Sequence, residues 1–171
     1  MRKIRVGIFL CSSILVASTF VQAQGRKAGL WEVTSNLTLQ QSPFPPGMQM
    51  PANSPLAAGP HTTQICLTQA MIDKYGAPLP QSQAGDCSYA NVNKTDHGMT
   101  ADLTCTGRMT GKGTVETSWS DAEHAKSTAH FTGTVMSRNG TVPLEWTRES
   151  TSVFKNADCG DVKPAQMPAD K

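Results

Sequence analysis

The chain has 171 residues and a formal net charge of +2, with 15 basic and 13 acidic residues. That length is normal for a single domain. The near balance of charge, without a basic stripe interleaved with aromatic residues, argues against nucleic-acid binding.

The first 23 residues are typical of a secretory signal peptide. Three basic residues lie within the first five positions, the run Val6–Val21 carries no charge, and Ala23 ends a small-residue cleavage pattern. An uncleaved anchor is the alternative, but the apolar run is shorter than the about 20 residues that span a bilayer. We therefore predict cleavage after Ala23, which leaves residues 24–171 weakly acidic and without a membrane span.

The next segment is predicted to be a strand followed by a loop. In Gly29–Gln40, Trp31 and every second residue after it share one face, as in a half-buried strand. The segment 42–60 is rich in proline, which lacks a backbone donor for a sheet ladder. We expect a long exposed loop there.

A short strand and a short helix come next. The strand is predicted over Thr62–Leu67. Thr68 is a favourable N-cap for a helix over Gln69–Tyr75, and Gly76 is a residue at which that helix would end.

After residue 85 the sequence pattern predicts successive hairpins. Asp96-His97-Gly98 is interpreted as a three-residue loop between strands Cys87–Asn93 and Met99–Arg108. A loop centred on Asp96 sets Cys87 opposite Cys105. A turn at residues 110–112 then leads to a strand over Gly113–Ser120, whose inward residues are predicted to be Val115, Thr117 and Trp119.

The dipeptide Asn139-Gly140 is the strongest hairpin signal in the chain. With these two residues as the loop, the predicted register sets Gly133 opposite Trp146 and Phe131 opposite Arg148. The second pair predicts a cation–π contact. The apolar faces read from the two strands separately agree with this turn.

Four cysteines remain after the leader, and an even number in an exported chain predicts two disulfides. Three connectivities are open. Strand register favours Cys87–Cys105, which leaves Cys66–Cys159. A zinc site is disfavoured because no C-x-x-C is present.

These patterns predict one all-β, mainly antiparallel domain. We expect a curved meander sheet or an incomplete barrel with one short helix, and an irregular tail over 156–171. Large apolar residues are few, so the two cross-links would offset a thin core.

The segments Gly29-Leu30-Trp31-Glu32-Val33, Cys66-Leu67-Thr68 and Asp158-Cys159-Gly160, with Cys87 and Cys105, carry a resemblance to a known family. The mature chain resembles a bacterial exported family catalogued as domain of unknown function number 3617. The resemblance implies a periplasmic location in a Gram-negative bacterium. It implies no established activity and supplies no catalytic residue.

Arg148 is the main candidate binding residue. It is in phase with Trp146 on the apolar face, and Phe131 is expected beside it. Inside a curved sheet, Arg148 would meet the acidic group of a small amphipathic ligand. The alternative places Arg148 at the sheet rim, with its stem on Phe131 and its head in water.

A second candidate site has ligands that would bind a soft metal ion. Met48 and Met50 supply thioethers in the proline-rich loop, and His61 follows them. Such ligands suit Cu(I). The chain has no catalytic signature such as H-E-x-x-H or G-x-S-x-G. We therefore expect a non-enzymatic binding or envelope-associated protein without a cofactor, whose partner is a small amphipathic molecule or an envelope protein, and alternatively a copper-handling protein.

Overall fold

A computed structural model describes residues 26–44, 59–79, 87–137 and 140–167. The predicted signal peptide lies outside the described residues, as do Met48 and Met50. Within the described ranges, no helix is long and apolar enough to cross a bilayer.

The described chain forms seven strands and one short helix in one open antiparallel sheet. In chain order these elements are β1 Gly29–Gln41, β2 Gly59–Leu67, α1 Gln69–Tyr75, β3 Cys87–Lys94, β4 Gly98–Thr106, β5 Met109–Ser118, β6 His124–Ser137 and β7 Gly140–Asn156. The spatial order of the strands is β2-β1-β7-β6-β5-β4-β3. The predicted fold class is confirmed, and the sheet is not closed.

The five strands β3 to β7 form a meander of consecutive hairpins, as predicted. β1 pairs antiparallel with β7, so the start of the described chain lies beside its last strand. β2 pairs with β1 and forms one edge of the sheet. β2 begins at Gly59, so the last two residues of the predicted loop 42–60 belong to a strand, and residues 45–58 lie outside the described residues.

The helix has the predicted bounds and caps. The Thr68 hydroxyl accepts a hydrogen bond from the backbone N–H of Met71 at 3.3 Å. Gly76 ends the helix in the left-handed region, with φ of 73°. A β-carbon at this position would lie 2.6 Å from the Trp119 ring, so both backbone conformation and packing favour glycine.

One face of the sheet carries the core, and we call it the concave face. The largest buried cluster on it joins Leu103, Val115, Phe131 and Trp146 to Tyr75 at the end of α1. A second cluster contains Trp31, Leu67, Met71 and Ile72. The helix and the segment that follows it therefore cover part of this face.

The curvature of the sheet is indicated by Tyr89 on β3, which packs against the same buried cluster as Leu37 on β1 and interacts electrostatically with Arg148 on β7. Strands β3 and β7 are four steps apart in the sheet. Strands lie about 4.8 Å apart, so a flat sheet would separate Tyr89 from Arg148 by roughly 19 Å. Charges at that distance are largely screened in salt solution.

The β6–β7 register differs by two residues from the prediction. Ser137 pairs with Gly140, so residues 138 and 139 join the strands and lie outside the described residues. Trp146 therefore faces Phe131 instead of Gly133, and Arg148 faces Ala129. A shift of two keeps every side chain on its predicted face, because the period of a strand is two.

Two other predicted turns are wrong in detail. Thr106 pairs with Thr110, so the β4–β5 turn precedes the predicted segment 110–112. The β3–β4 loop has the predicted three residues, 95–97, but a bulge between Ala90 and Asn93 shifts the register by one residue near the turn. Asn91 has a positive φ of 49° at this bulge, which alternation alone does not reveal.

Both predicted disulfides are present in the structure. Cys87 and Cys105 are directly opposite in the β3–β4 ladder, as the register predicted. Cys66 is bonded to Cys159 across 93 residues of sequence. The tail continues along the end of β2, where the backbone N–H of Ala165 donates to the Cys66 carbonyl at 2.9 Å.

Candidate functional site

Arg148 lies on the concave face near the middle of β7. Its cross-strand neighbours are Leu37 on β1 and Ala129 on β6. Along β7, the flanking residues on the same face are Trp146 and Ser150. These four neighbours are uncharged, and Leu37 and Ala129 are buried. The sequence prediction that Arg148 shares the apolar face is therefore confirmed.

The Arg148 side chain is half-buried and contacts an aromatic ring. Its guanidinium carbon is 5.7 Å from the centre of the Trp146 ring, a cation–π geometry. Burial lowers the pKa of Arg148, because leaving water disfavours the charged form. Arginine nevertheless stays protonated in proteins. The site therefore holds a partly desolvated positive charge.

Tyr89 approaches this charge from β3 on the far side of the curved sheet. Burial raises the pKa of the Tyr89 phenol, and the positive charge of Arg148 only partly opposes that shift. The phenol is therefore protonated near neutral pH and supplies no negative charge. Its ring also makes an edge contact with Tyr75 of α1, with ring centres 6.5 Å apart.

Phe131 and Trp146 form the apolar floor next to Arg148. Their rings stack at 5.5 Å with an interplanar angle of 16°. The cation–π partner of Arg148 is Trp146, whereas the sequence predicted Phe131. The two-residue difference in register explains this change, because it brings the two aromatic residues opposite each other. Both rings are buried, so of the three predicted binding residues only Arg148 is half-buried rather than buried.

A row of hydroxyl side chains crosses the concave face beside Arg148. Thr117 pairs with Ser127, Ser127 with Ser150, and Ser150 with Ser35, so four adjacent strands each contribute one member. We call these four residues the hydroxyl row. The hydroxyls of Thr117 and Ser127 are hydrogen-bonded to each other. Sequence reasoning missed the row as a unit, although Ser35 and Ser150 are in phase with core residues of their strands.

A second cation, Arg26, is buried at one end of the sheet. Its guanidinium lies 4.3 Å from the centre of the Trp31 ring and 5.5 Å from that of Trp119. Nη1 donates to the His124 carbonyl at 2.7 Å. Burial lowers the pKa of Arg26 to about 10, and the carboxylate of Asp121 opposes the shift. These contacts hold the start of the described chain against the β5–β6 connection.

A cleft of about 370 Å³ lies at the same end of the sheet. Its lining includes Trp119, Lys126 and Thr151. Arg148 does not line this cleft, whose walls join residues 118–126 around the β5–β6 connection to residues 151–153 of β7. No sequence pattern predicted it, because it depends on how these two segments pack together.

The copper hypothesis remains a prediction. Met48 and Met50 lie outside the described residues. His61 is half-buried on β2 and pairs with Ser35 of the hydroxyl row. Within the described segments, no group of three or more His, Cys, Asp or Glu side chains is arranged to hold a metal ion.

Fold and site together define a class of protein: an open, curved antiparallel sheet with two disulfides and a half-buried cation on its concave face. The chain belongs to the family described as protein of unknown function DUF3617, whose match covers residues 26–159. The resemblance seen in the sequence is thus confirmed. No curated protein and no solved structure matches the chain.

Proposed function

We propose that this protein is an exported, non-enzymatic binding protein. Its concave face holds a small amphipathic molecule whose acidic group pairs with Arg148. The observation that carries the proposal is the position of this cation, half-buried between Leu37 and Ala129 on a curved apolar face.

Charge is the first argument for an acidic ligand. A half-buried cation among apolar side chains attracts an anion more strongly than an exposed cation does, because less water screens it. The adjacent side chains on the concave face are uncharged, and Tyr89 is held in its neutral form. A carboxylate or phosphate would accept charge-assisted hydrogen bonds from the guanidinium, and these are stronger than neutral ones.

The apolar surroundings of Arg148 support an amphipathic rather than a purely ionic ligand. Phe131 and Trp146 form a stacked floor on one side, and Leu39 and Val135 are partly buried against the same cluster. Small-molecule sites are mostly apolar with a few polar groups that fix orientation. An acyl chain over the partly exposed Leu39 and Val135 would leave its acidic head at Arg148.

The predicted leader and the two disulfides support the proposed compartment. Disulfides persist in oxidising compartments and are rare in the cytosol. The pairs Cys87–Cys105 and Cys66–Cys159 support an exported protein, and we propose the periplasm, which the family resemblance implies. Amino-terminal sequencing of protein recovered from that compartment should begin at Gln24.

Calorimetric titration of the oxidised mature chain with sodium decanoate, below its micelle concentration, tests the binding site. We expect saturable binding that weakens at least tenfold in Arg148→Met, because hydrogen bonds to charged groups contribute about 1.5–3 kcal/mol. Arg148→Lys should retain part of the affinity. Lys126→Met is the matched control, since Lys126 is an exposed cation on the opposite face of β6. Equal affinity in wild type and Arg148→Met, or no binding to either, would overturn the proposal.

A further inference from the structure

We infer that this protein forms a dimer in which the outer edge of β2 pairs antiparallel with the same edge of a second copy. The inference is independent of the proposed ligand site, because it concerns an edge of the sheet rather than its concave face. A strand at a sheet edge presents backbone donors and acceptors that are a template for pairing with another chain.

The tail shows which backbone groups of β2 point outward. The Cys66 carbonyl accepts a hydrogen bond from the backbone N–H of Ala165, which lies on the side of β2 away from β1. Successive residues of a paired strand direct their backbone groups to alternate sides, and β2 pairs with β1 without a register shift. Thr62 and Gln64 therefore direct their N–H and C=O groups outward, and Pro60 directs its carbonyl outward.

The outer edge of β2 is open from Pro60 to Gln64 among the residues that the structure describes. The tail pairs with β2 only near its end, where Cys66 forms a parallel bridge with Pro164. The side chains of Pro60, Thr62 and Gln64 are exposed. Strand addition to such an edge uses main-chain hydrogen bonds, so this run of residues can receive another strand.

The two edges of the sheet differ in their protection against such pairing. Natural proteins protect edge strands with bulges, with proline or lysine residues, or with a covering element. The bulge at Asn91 interrupts β3, and Lys94 at its end donates from Nζ to the Asp73 carbonyl of α1 at 2.7 Å. β2 is regular and has no Lys, Arg, Asp or Glu, and its only such feature is Pro60, next to its first residue. β2 is therefore the edge suited to pairing.

A second copy is the occupant that this edge fits. Because the edge carries no fixed charge, two identical edges can meet without repulsion, and no charge is present that would select a different partner. Two-fold symmetry places the same patch on both subunits. Thr62 is the centre of the open run, so a two-fold axis at Thr62 uses its whole length. The Thr62 N–H then donates to the partner's Thr62 carbonyl and the reverse, and the Gln64 N–H donates to the partner's Pro60 carbonyl.

Sedimentation equilibrium of the oxidised mature chain at rising concentration tests the dimer. We expect a reversible monomer–dimer equilibrium, because an interface of two short strands is at the small, weak end of specific interfaces. Thr62→Lys should weaken dimerisation roughly tenfold or more, since it places two like charges directly opposite each other. Thr38→Lys is the matched control, because Thr38 is exposed on the same face of the sheet but lies past the last pair of β1 with β2.

A second variant and a salt titration separate pairing from a folding defect. Thr62→Pro removes an outward N–H and no hydrogen bond to β1, so it should keep its stability in urea and lose the dimer. Raised salt should restore dimerisation of Thr62→Lys by screening the charges, and should leave Thr62→Pro monomeric. In the wild type, hydrogen exchange at the amides of Thr62 and Gln64 should slow as the protein concentration rises.

Three results would overturn the inference. The first is a wild-type protein that stays monomeric at every concentration. The second is a dimer that persists equally in Thr62→Lys and Thr62→Pro. The third is protection of the Thr62 and Gln64 amides that does not depend on concentration, because another segment of the same chain would then cover this edge.

Discussion

The β1–β7 pair contains two kinds of region on its concave face. At one end, Trp31 packs edge-on against Phe154, with ring centres 5.6 Å apart. At the other end, Trp146 is stacked on Phe131 and buried. Between these ends lie Arg148 and the hydroxyl row, whose members on β1 and β7 are half-buried. The pair is therefore apolar at both ends and polar in the middle.

The apolar ends of the β1–β7 pair stabilise the fold, whereas its polar middle is suited to binding. Burial of an aromatic side chain stabilises the fold by the apolar area removed from water. The middle of the pair buries little apolar surface and instead places one charge and several hydroxyls on a curved face. We therefore expect changes at the ends to cost stability, and changes in the middle to cost binding with little loss of stability.

The largest expected effect is loss of the cross-link at the Trp31 end. In the chain-entropy treatment, closing a loop of about 100 residues contributes about 4.7 kcal/mol, and a loop of about 15 residues contributes about 3 kcal/mol. Cys66→Ser plus Cys159→Ser, with a separation of 93, should thus be more destabilising than Cys87→Ser plus Cys105→Ser, with a separation of 18. Urea unfolding of oxidised proteins measures both. The reverse ranking would show that strain or residual denatured structure dominates.

At the other end, Phe131→Ala should lower the free energy of unfolding by about 3–5 kcal/mol. The ring is fully buried, and its removal leaves a cavity that the sheet cannot fill by collapse. Phe131→Leu is the control and should cost less, because it keeps most of the volume. Urea denaturation followed by tryptophan fluorescence measures both changes. A cost below about 1 kcal/mol would contradict the assignment of Phe131 to the core.

In the middle of the pair, Arg148→Met should change stability by less than about 1 kcal/mol or increase it. Replacing a buried charge by an apolar side chain of similar length removes a desolvation penalty. Leu144→Ala on the same strand is the comparison and should cost about 2–5 kcal/mol, because Leu144 is buried in the core. Thermal and urea unfolding can rank the two. If Arg148→Met proves as destabilising as Leu144→Ala, Arg148 has a structural role.

The smallest expected effect is a change in alkaline stability through Tyr89. Burial raises the pKa of this phenol in the folded state above its usual value near 10. Above that pH the unfolded chain loses the proton while the folded chain keeps it, so stability falls as pH rises. Tyr89→Phe should remove this part of the decline and leave stability below pH 9 nearly unchanged. Identical pH profiles from pH 9 to 11 would contradict the buried position of the phenol.

Much of the fold was predictable because it depends on local chemistry. Thr68 and Gly76 have the side-chain and backbone properties of helix caps, so the helix bounds were correct. Strand faces were correct because alternation survives a register error of two residues. The bulge at Asn91 and the β6–β7 register were not predictable, since they depend on how neighbouring strands twist and pack.

The candidate site was only partly predictable, for a related reason. The phase of Arg148 with Trp146 is visible in a single strand, so its face followed from the sequence. Tyr89 interacts with the Arg148 guanidinium because the sheet curves, and no local sequence pattern indicates that curvature. The hydroxyl row needs the pairing of β1 with β7, which brings together residues separated by more than 100 positions.

Native mass spectrometry of the mature protein, purified without detergent from the compartment to which it is exported, tests the central claim most directly. Wild type and Arg148→Met should be compared at equal charge state and low activation energy. We expect a wild-type population with the added mass of an acidic small molecule, and loss of this population in Arg148→Met. The same adduct on both proteins, or bare protein in both samples, would contradict the claim that Arg148 holds a ligand on the concave face.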